Sequence, residues 1–129
     1  MSDPRSAEKL VRMARKDLLA MRKLMDADLE TFGFHAQQAC EKAAKAWLSC
    51  LGVEFPRIHE LGELFEMLRE NGATIPPKYE ELLGLNPFGV AFRYDPFEEA
   101  EDPFNRMTII QRVEEWIALV ESVCPKPPQ

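Results

Sequence analysis

Six side chains in the middle of the sequence carry groups that suit a phosphate or nucleotide ligand. Lysine and arginine supply positive charge, a tyrosine ring offers a stacking surface, and glutamine and histidine offer hydrogen-bonding groups. The set is Gln38, Lys42, Lys45, His59, Arg93 and Tyr94. Because these residues are widely separated along the chain, the fold must bring them together, and we expect them to converge on one pocket.

The segment from His35 to Leu48 predicts an amphipathic helix that positions the first three of these residues. Small apolar side chains recur there at steps of three and four, and Glu41 precedes Lys45 by one turn, the favourable order for a helical ion pair. An apolar face this small lets a second helix approach closely. Gly33 is predicted to be the break before this helix, and His35 to be a capping or surface residue at its start.

A first helix is predicted from about Ser6 to about Ala27, with an inner stripe of leucine, alanine and methionine. Asp17 intrudes on that stripe. Because a bare carboxylate is costly to bury, Asp17 needs a hydrogen-bond partner or access to a cleft. Arg93 is an alternative partner for Asp17 or Glu41 across the bundle, and in that arrangement its role is structural.

Three more helical elements are predicted after Gly52, which suits the left-handed cap of the second helix. A third helix ends at Asn71-Gly72, and a short element follows Pro76-Pro77. The last helix is predicted to begin with Asp102 as its cap and Pro103 as its first residue.

These elements together predict the fold class. The alternation of apolar and polar residues that is typical of strands does not occur. We therefore predict an all-α fold, an antiparallel up-and-down helical bundle of four long helices plus a short helix. Residues 1–124 are expected to form one domain, and residues 125–129 a disordered proline-rich tail. The apolar stripe of the last helix is wide enough to pack on the domain and also on a second subunit.

The same residues resemble a known family. The segment from His35 to Leu48 is similar to the central helix of HEPN domains, whose motif reads approximately H-A-Q-Q-A-x-E-K-x-x-K-A-x-L. Downstream, the segment from Phe55 to Leu61 resembles the family's proline followed by His-acidic-Leu, and Arg93-Tyr94 resembles its Arg-Tyr signature. The resemblance implies a HEPN-type helical bundle, and it implies fold more firmly than function.

Two classes of function are implied by this resemblance. The first is a non-catalytic interaction module that forms a homodimer, binds a nucleotide or phosphate ligand through the six residues, and has a minimal nucleotidyltransferase as partner in a toxin-antitoxin-like system. The second is a dimeric, metal-independent ribonuclease in which Arg93 stabilises developing charge and His59 transfers protons. A structural role is the alternative for Gln38 and His59, which would then satisfy helix ends.

The nuclease branch of the family places an arginine several residues before a histidine, and this sequence departs from that pattern. No arginine stands five to seven residues before His35 or His59. Arg93 and Tyr94 are followed by a dense acidic run instead of a histidine, and acidic side chains there would repel an RNA backbone. We therefore expect the interaction module rather than the enzyme.

Composition limits the remaining possibilities. The net charge is −6, but residues 1–25 carry seven basic and three acidic side chains, a balance of +4 that leaves −10 for the remainder. No apolar run approaches a membrane span, and we expect a cytoplasmic chain. The three cysteines suggest neither a disulfide framework nor a zinc site, and Cys40 and Cys50 are expected to be small core residues. No metal or other cofactor is implied.

Overall fold

The computed structural model describes residues 4–54, 57, 60–85 and 105–124. Four α-helices and one 3₁₀ helix make up this part of the chain: α1 (Pro4–Lys23), α2 (Leu29–Cys50), α3 (Leu61–Glu70), the 3₁₀ helix (Pro77–Leu85) and α4 (Arg106–Val123). The described ranges contain no strand, and the all-α prediction is confirmed. α3 is shorter than predicted, with 10 residues against 18 to 22 in the other α-helices.

The contacts of α4 define the directions of the helices. At the start of α4, the guanidinium of Arg106 donates a hydrogen bond of 2.9 Å to the backbone carbonyl of Met25, just after α1 ends. Near the other end of α4, Glu121 pairs with Arg15 of α1. α4 therefore runs antiparallel to α1, as an up-and-down bundle requires.

The close approach of α1 and α2 depends on small side chains. Ala14, Leu18 and Met21 of the predicted inner stripe of α1 are fully buried. On α2, six small side chains of the core have no exposed surface, namely Ala36, Ala39, Cys40, Ala43, Ala44 and Ala46. Because these side chains project so little, the two helix backbones pack closely over most of their length.

Trp116 of α4 is the largest fully buried side chain of the core. Its ring centroid lies 5.7 Å from that of Trp47, 5.0 Å from that of Phe65 and 5.2 Å from that of Tyr79. Its indole N–H donates to the carbonyl of Cys40 at 3.2 Å, which satisfies the one polar group of the ring. Trp116 thus joins α2, α3 and the 3₁₀ helix to α4.

The apolar stripe of α4 forms part of this core. Its six apolar residues are all buried, namely Ile109, Ile110, Val113, Trp116, Ile117 and Val120. The stripe therefore offers no surface to a second subunit.

Capping residues set helix boundaries that periodicity did not predict. The carboxylate of Asp28 accepts a hydrogen bond from the backbone N–H of Thr31 at 2.9 Å, and α2 begins at Leu29, directly after Asp28. The prediction that Gly33 breaks the chain before α2 is wrong, because Gly33 is buried inside the helix. At α4, the cap is Asn105, so the predicted start at Asp102 and Pro103 is also wrong; those two residues lie outside the described part.

The C-terminal ends of α2 and α3 follow the prediction. Gly52 has φ of +77° and Gly72 has φ of +93°, backbone conformations that favour glycine. Glu60 caps the start of α3, with its carboxylate accepting the backbone N–H of Glu63 at 2.7 Å.

A disulfide joins the last residue of α2, Cys50, to Cys124, the residue after α4. The expectation of no disulfide is wrong, because α2 and α4 end side by side and place the two Cα atoms 5.7 Å apart. Cys50 packs against the core as well, and Cys40 is the fully buried small core residue that the pattern predicts.

None of the described helices is both long and apolar enough to span a membrane.

Candidate functional site

One side of α2 carries a row of polar residues, which we call the polar face. It lies opposite the buried small apolar residues of α2 and consists of His35, Gln37, Gln38, Glu41, Lys42 and Lys45. Gln37 and Glu41 are buried, and the other four side chains are only partly exposed. Buried polar groups need partners, so the hydrogen bonds of this face determine its properties.

Asp17 of α1 forms a triad with two residues of the polar face. Its Oδ1 lies 2.9 Å from Nδ1 of His35, and its Oδ2 lies 2.6 Å from Nζ of Lys42. The Asp17 side chain is 11% exposed, and those of His35 and Lys42 are 28% and 22% exposed. The predicted need of Asp17 for a partner is therefore met twice, from two positions two helical turns apart on α2.

A second cluster lies beside this triad and is centred on Glu41. Lys45 Nζ donates to the Glu41 carboxylate at 3.0 Å, which confirms the predicted helical ion pair. Gln37 donates to the same carboxylate at 3.2 Å, and Gln38 donates to the side-chain oxygen of Gln37 at 2.9 Å. The polar face and Asp17 together therefore hold two carboxylate-lysine pairs, and their summed charge without His35 is zero.

Lys42 keeps binding capacity after it pairs with Asp17. An ammonium group has three N–H donors, and within the described residues the Lys42 Nζ makes one hydrogen bond, to Asp17. The Lys42 side chain is 22% exposed, so it is partly open to solvent. An anion bound there would contact a lysine whose position is fixed by the Asp17 carboxylate.

His35 is held in one orientation by the same carboxylate. We assign the imidazole proton to Nδ1, because this nitrogen faces Asp17 Oδ1 at 2.9 Å and an N–H there satisfies the carboxylate. That tautomer leaves Nε2 with a lone pair that can accept a proton or a hydrogen bond. The structure thus pairs a potential proton acceptor with a potential anion binder on one carboxylate.

The structure brings together only part of the predicted site. Gln38, Lys42 and Lys45 share the polar face, whereas His59, Arg93 and Tyr94 lie outside the described residues. The prediction that His35 caps α2 is wrong, because α2 begins six residues earlier and His35 contacts Asp17. The seven-residue spacing of His35 and Lys42, together with the polar intrusion of Asp17, was the available signal for this triad.

Metal and thiol chemistry find no support in the described ranges. No group of three or more histidine, cysteine or acidic side chains there could hold a metal ion. The Cys40 thiol is fully buried, and burial raises its pKa because an apolar environment disfavours the thiolate. Cys40 is thus an inert core residue.

Comparisons with known proteins agree with the geometry of the bundle. The sequence model of the HEPN domain matches residues 7–124. Among solved structures, the chain is similar to the crystal structure of an archaeal HEPN homologue, with a TM-score of 0.60 and 21% sequence identity over 90% of this chain and 95% of that one. The comparison with curated proteins gives no match. The chain belongs to the HEPN domain family.

Proposed function

We propose that this chain is a non-catalytic HEPN interaction module that binds a phosphate or nucleotide ligand on the polar face of α2. The observation that carries the proposal is Lys42, whose ammonium lies 2.6 Å from the Asp17 carboxylate and whose side chain is partly exposed. A fixed ammonium with donors to spare binds an anion at a smaller cost in side-chain entropy than a free surface lysine. Gln38 and Lys45 lie on the same side of α2 and extend the ligand surface.

The rest of the proposed site comes from the resemblance to the family. His59, Arg93 and Tyr94 complete the ligand contacts in this proposal, with Arg93 supplying charge and Tyr94 a surface for base stacking. Arg93→Ala should weaken ligand or partner binding without loss of helical content. Unchanged affinity in that variant would remove Arg93 from the site.

Isothermal titration calorimetry with ATP, ADP and inorganic phosphate tests the ligand part of the proposal. Lys42→Gln should weaken binding of the preferred anion about tenfold or more, because it removes one charge-assisted hydrogen bond. Lys78→Gln is the matched control, since Lys78 also pairs with a carboxylate, Glu115, at 3.6 Å but lies on the 3₁₀ helix. Equal affinities for wild type and the Lys42 variant would refute the role of Lys42.

We propose further that the module forms a homodimer and acts with a minimal nucleotidyltransferase in a toxin-antitoxin-like system. Membership of the HEPN family supports this proposal. Light scattering of the purified protein, alone and with a co-expressed nucleotidyltransferase, measures both assemblies. A dimer that gains mass with the nucleotidyltransferase is expected. A monomer whose mass does not change when the nucleotidyltransferase is present would contradict the proposal.

A metal-independent ribonuclease is the second candidate, because Asp17 holds His35 in the tautomer of a general base. In this alternative, His35 held by Asp17 supplies one of the two groups that general acid-base catalysis needs. Arg93 and His59 are the remaining groups of the proposed active site. Incubation of single-stranded RNA with the protein and a metal chelator separates the two candidates. Intact RNA favours the binding module, whereas cleavage that disappears in His35→Ala or His59→Ala favours the enzyme.

A further inference from the structure

Four basic side chains form a straight row on the outer side of α1. We call Lys9, Arg12, Lys16 and Lys23, with Leu19 between the last two, the basic row. Their steps of three, four, three and four residues keep successive side chains in line along the helix. All five side chains are exposed, and the row lies opposite the buried stripe of Ala14, Leu18 and Met21.

Two other cations of α1 behave differently. Arg15 pairs with Glu121 and Arg22 pairs with Glu114 at 2.9 Å, both on α4. Within the described residues, none of the four cations of the basic row has an ion-pair partner. Two carboxylates are adjacent in sequence to the row: Asp17, which pairs with Lys42 of α2, and Glu8, which forms no ion pair within the same residues. The bundle therefore neutralises the cations of α1 that lie beside α4 and leaves the outer side of α1 positive.

We propose that the basic row binds the phosphate backbone of a single-stranded nucleic acid. Four exposed ion pairs with a folded acidic protein would contribute little, because water weakens each pair and the ordering of two side chains offsets the gain. A polynucleotide differs because its condensed counterions are released when lysine and arginine replace them. From Lys9 to Lys23 the row spans about 20 Å of helix, which several consecutive phosphates of an extended strand can follow.

The composition of the row predicts how it recognises a strand. It contains no aromatic ring for base stacking and no amide or carboxylate to read base edges, and Leu19, 51% exposed, adds only apolar contact. Binding should therefore be indifferent to base sequence and to the 2′-hydroxyl. This surface is separate from the polar face of α2, so it adds to the proposed ligand site instead of forming part of it.

Fluorescence anisotropy with labelled single-stranded DNA of mixed sequence tests this inference. DNA is the probe because it lacks the 2′-hydroxyl, so that any RNA cleavage cannot disturb the measurement. With four phosphate contacts, the logarithm of the binding constant should fall against the logarithm of salt concentration with a slope of about −3. Affinity should then fall about 50-fold between about 50 and about 200 mM salt.

Two double variants locate the binding surface. Arg12→Gln with Lys16→Gln removes half of the row, and the slope should halve, so that the same salt interval costs about sevenfold in affinity. Arg15→Gln with Arg22→Gln removes the same charge from the paired side of α1 and should keep the wild-type slope. Lys42→Gln should also keep it, which separates this test from that of the ligand site.

Three results would overturn the inference. The first is no binding of DNA by the wild type at low salt. The second is equal weakening in both double variants, which would show a general effect of net charge. The third is displacement of the DNA by poly-L-glutamate at equal charge concentration, which would assign the row to an acidic protein.

Discussion

Removal of the disulfide by Cys124→Ser should lower stability by an amount that follows from its position in the chain. Cys50 and Cys124 are 74 residues apart, and the bridge encloses α3, the 3₁₀ helix and α4. For a loop of that length, the entropy that the cross-link removes from the unfolded chain corresponds to ~4.5 kcal/mol at 25 °C. With the average unfolding entropy per residue of globular proteins, a loss of that size lowers the melting temperature by about 15 °C.

Thermal unfolding followed by circular dichroism, with and without reductant, measures this effect. The wild type should lose melting temperature when reductant is added, and Cys124→Ser should be low in both conditions. A thiol titration of the denatured, unreduced wild type should find one reactive cysteine, Cys40, against three after reduction. Three reactive thiols before reduction, or a wild-type melting temperature that is the same with and without reductant, would refute the reasoning.

Three further predictions concern single side chains. Asp17→Ala should destabilise the protein by about 1–3 kcal/mol in urea unfolding, because Lys42 and His35 lose their shared partner while both still reach water. Hydrogen bonds from Thr31 lower the pKa of Asp28, so its cap stabilises the protein above the unfolded pKa and this contribution is lost as pH falls through the folded pKa. Asp28→Ala should therefore cost about 1 kcal/mol at neutral pH, and the gap from wild type should close in acid; a constant gap would contradict the argument. Cys40 should resist alkylation by iodoacetamide until the protein unfolds, since its thiol is fully buried and protonated, and rapid labelling of the native protein would show an open core.

The helices were largely predictable from the sequence, because each one buries an apolar stripe with helical period. The predicted stripes of α1 and α4 contain most of the apolar residues of these helices that the structure buries, although Ala7 of α1 is also buried and was not predicted. Helix starts were less predictable. The periodic pattern does not show which of several polar residues becomes the cap. In the structure the caps are Asp28 and Asn105.

The need of Asp17 for a partner was predictable from the sequence, but the identity of its partners was not. The sequence shows that Asp17 interrupts an apolar stripe and therefore needs a partner, but the identity of that partner depends on how α1 packs on α2. That packing register brings His35 and Lys42 to the two oxygens of Asp17. The disulfide was not predicted for a similar reason. Its two cysteines are 74 positions apart in the sequence, and they meet only because the helices that end beside them pack together.

The central claim, an anion site on the polar face of α2, is tested most directly by nuclear magnetic resonance of uniformly ¹⁵N-labelled protein during titration with ATP. Saturable shifts should concentrate on the backbone amides from His35 to Lys45 and on the side-chain signals of Lys42 and His35. Shifts confined to other surfaces, or none at ATP concentrations that saturate the calorimetric signal, would contradict the site.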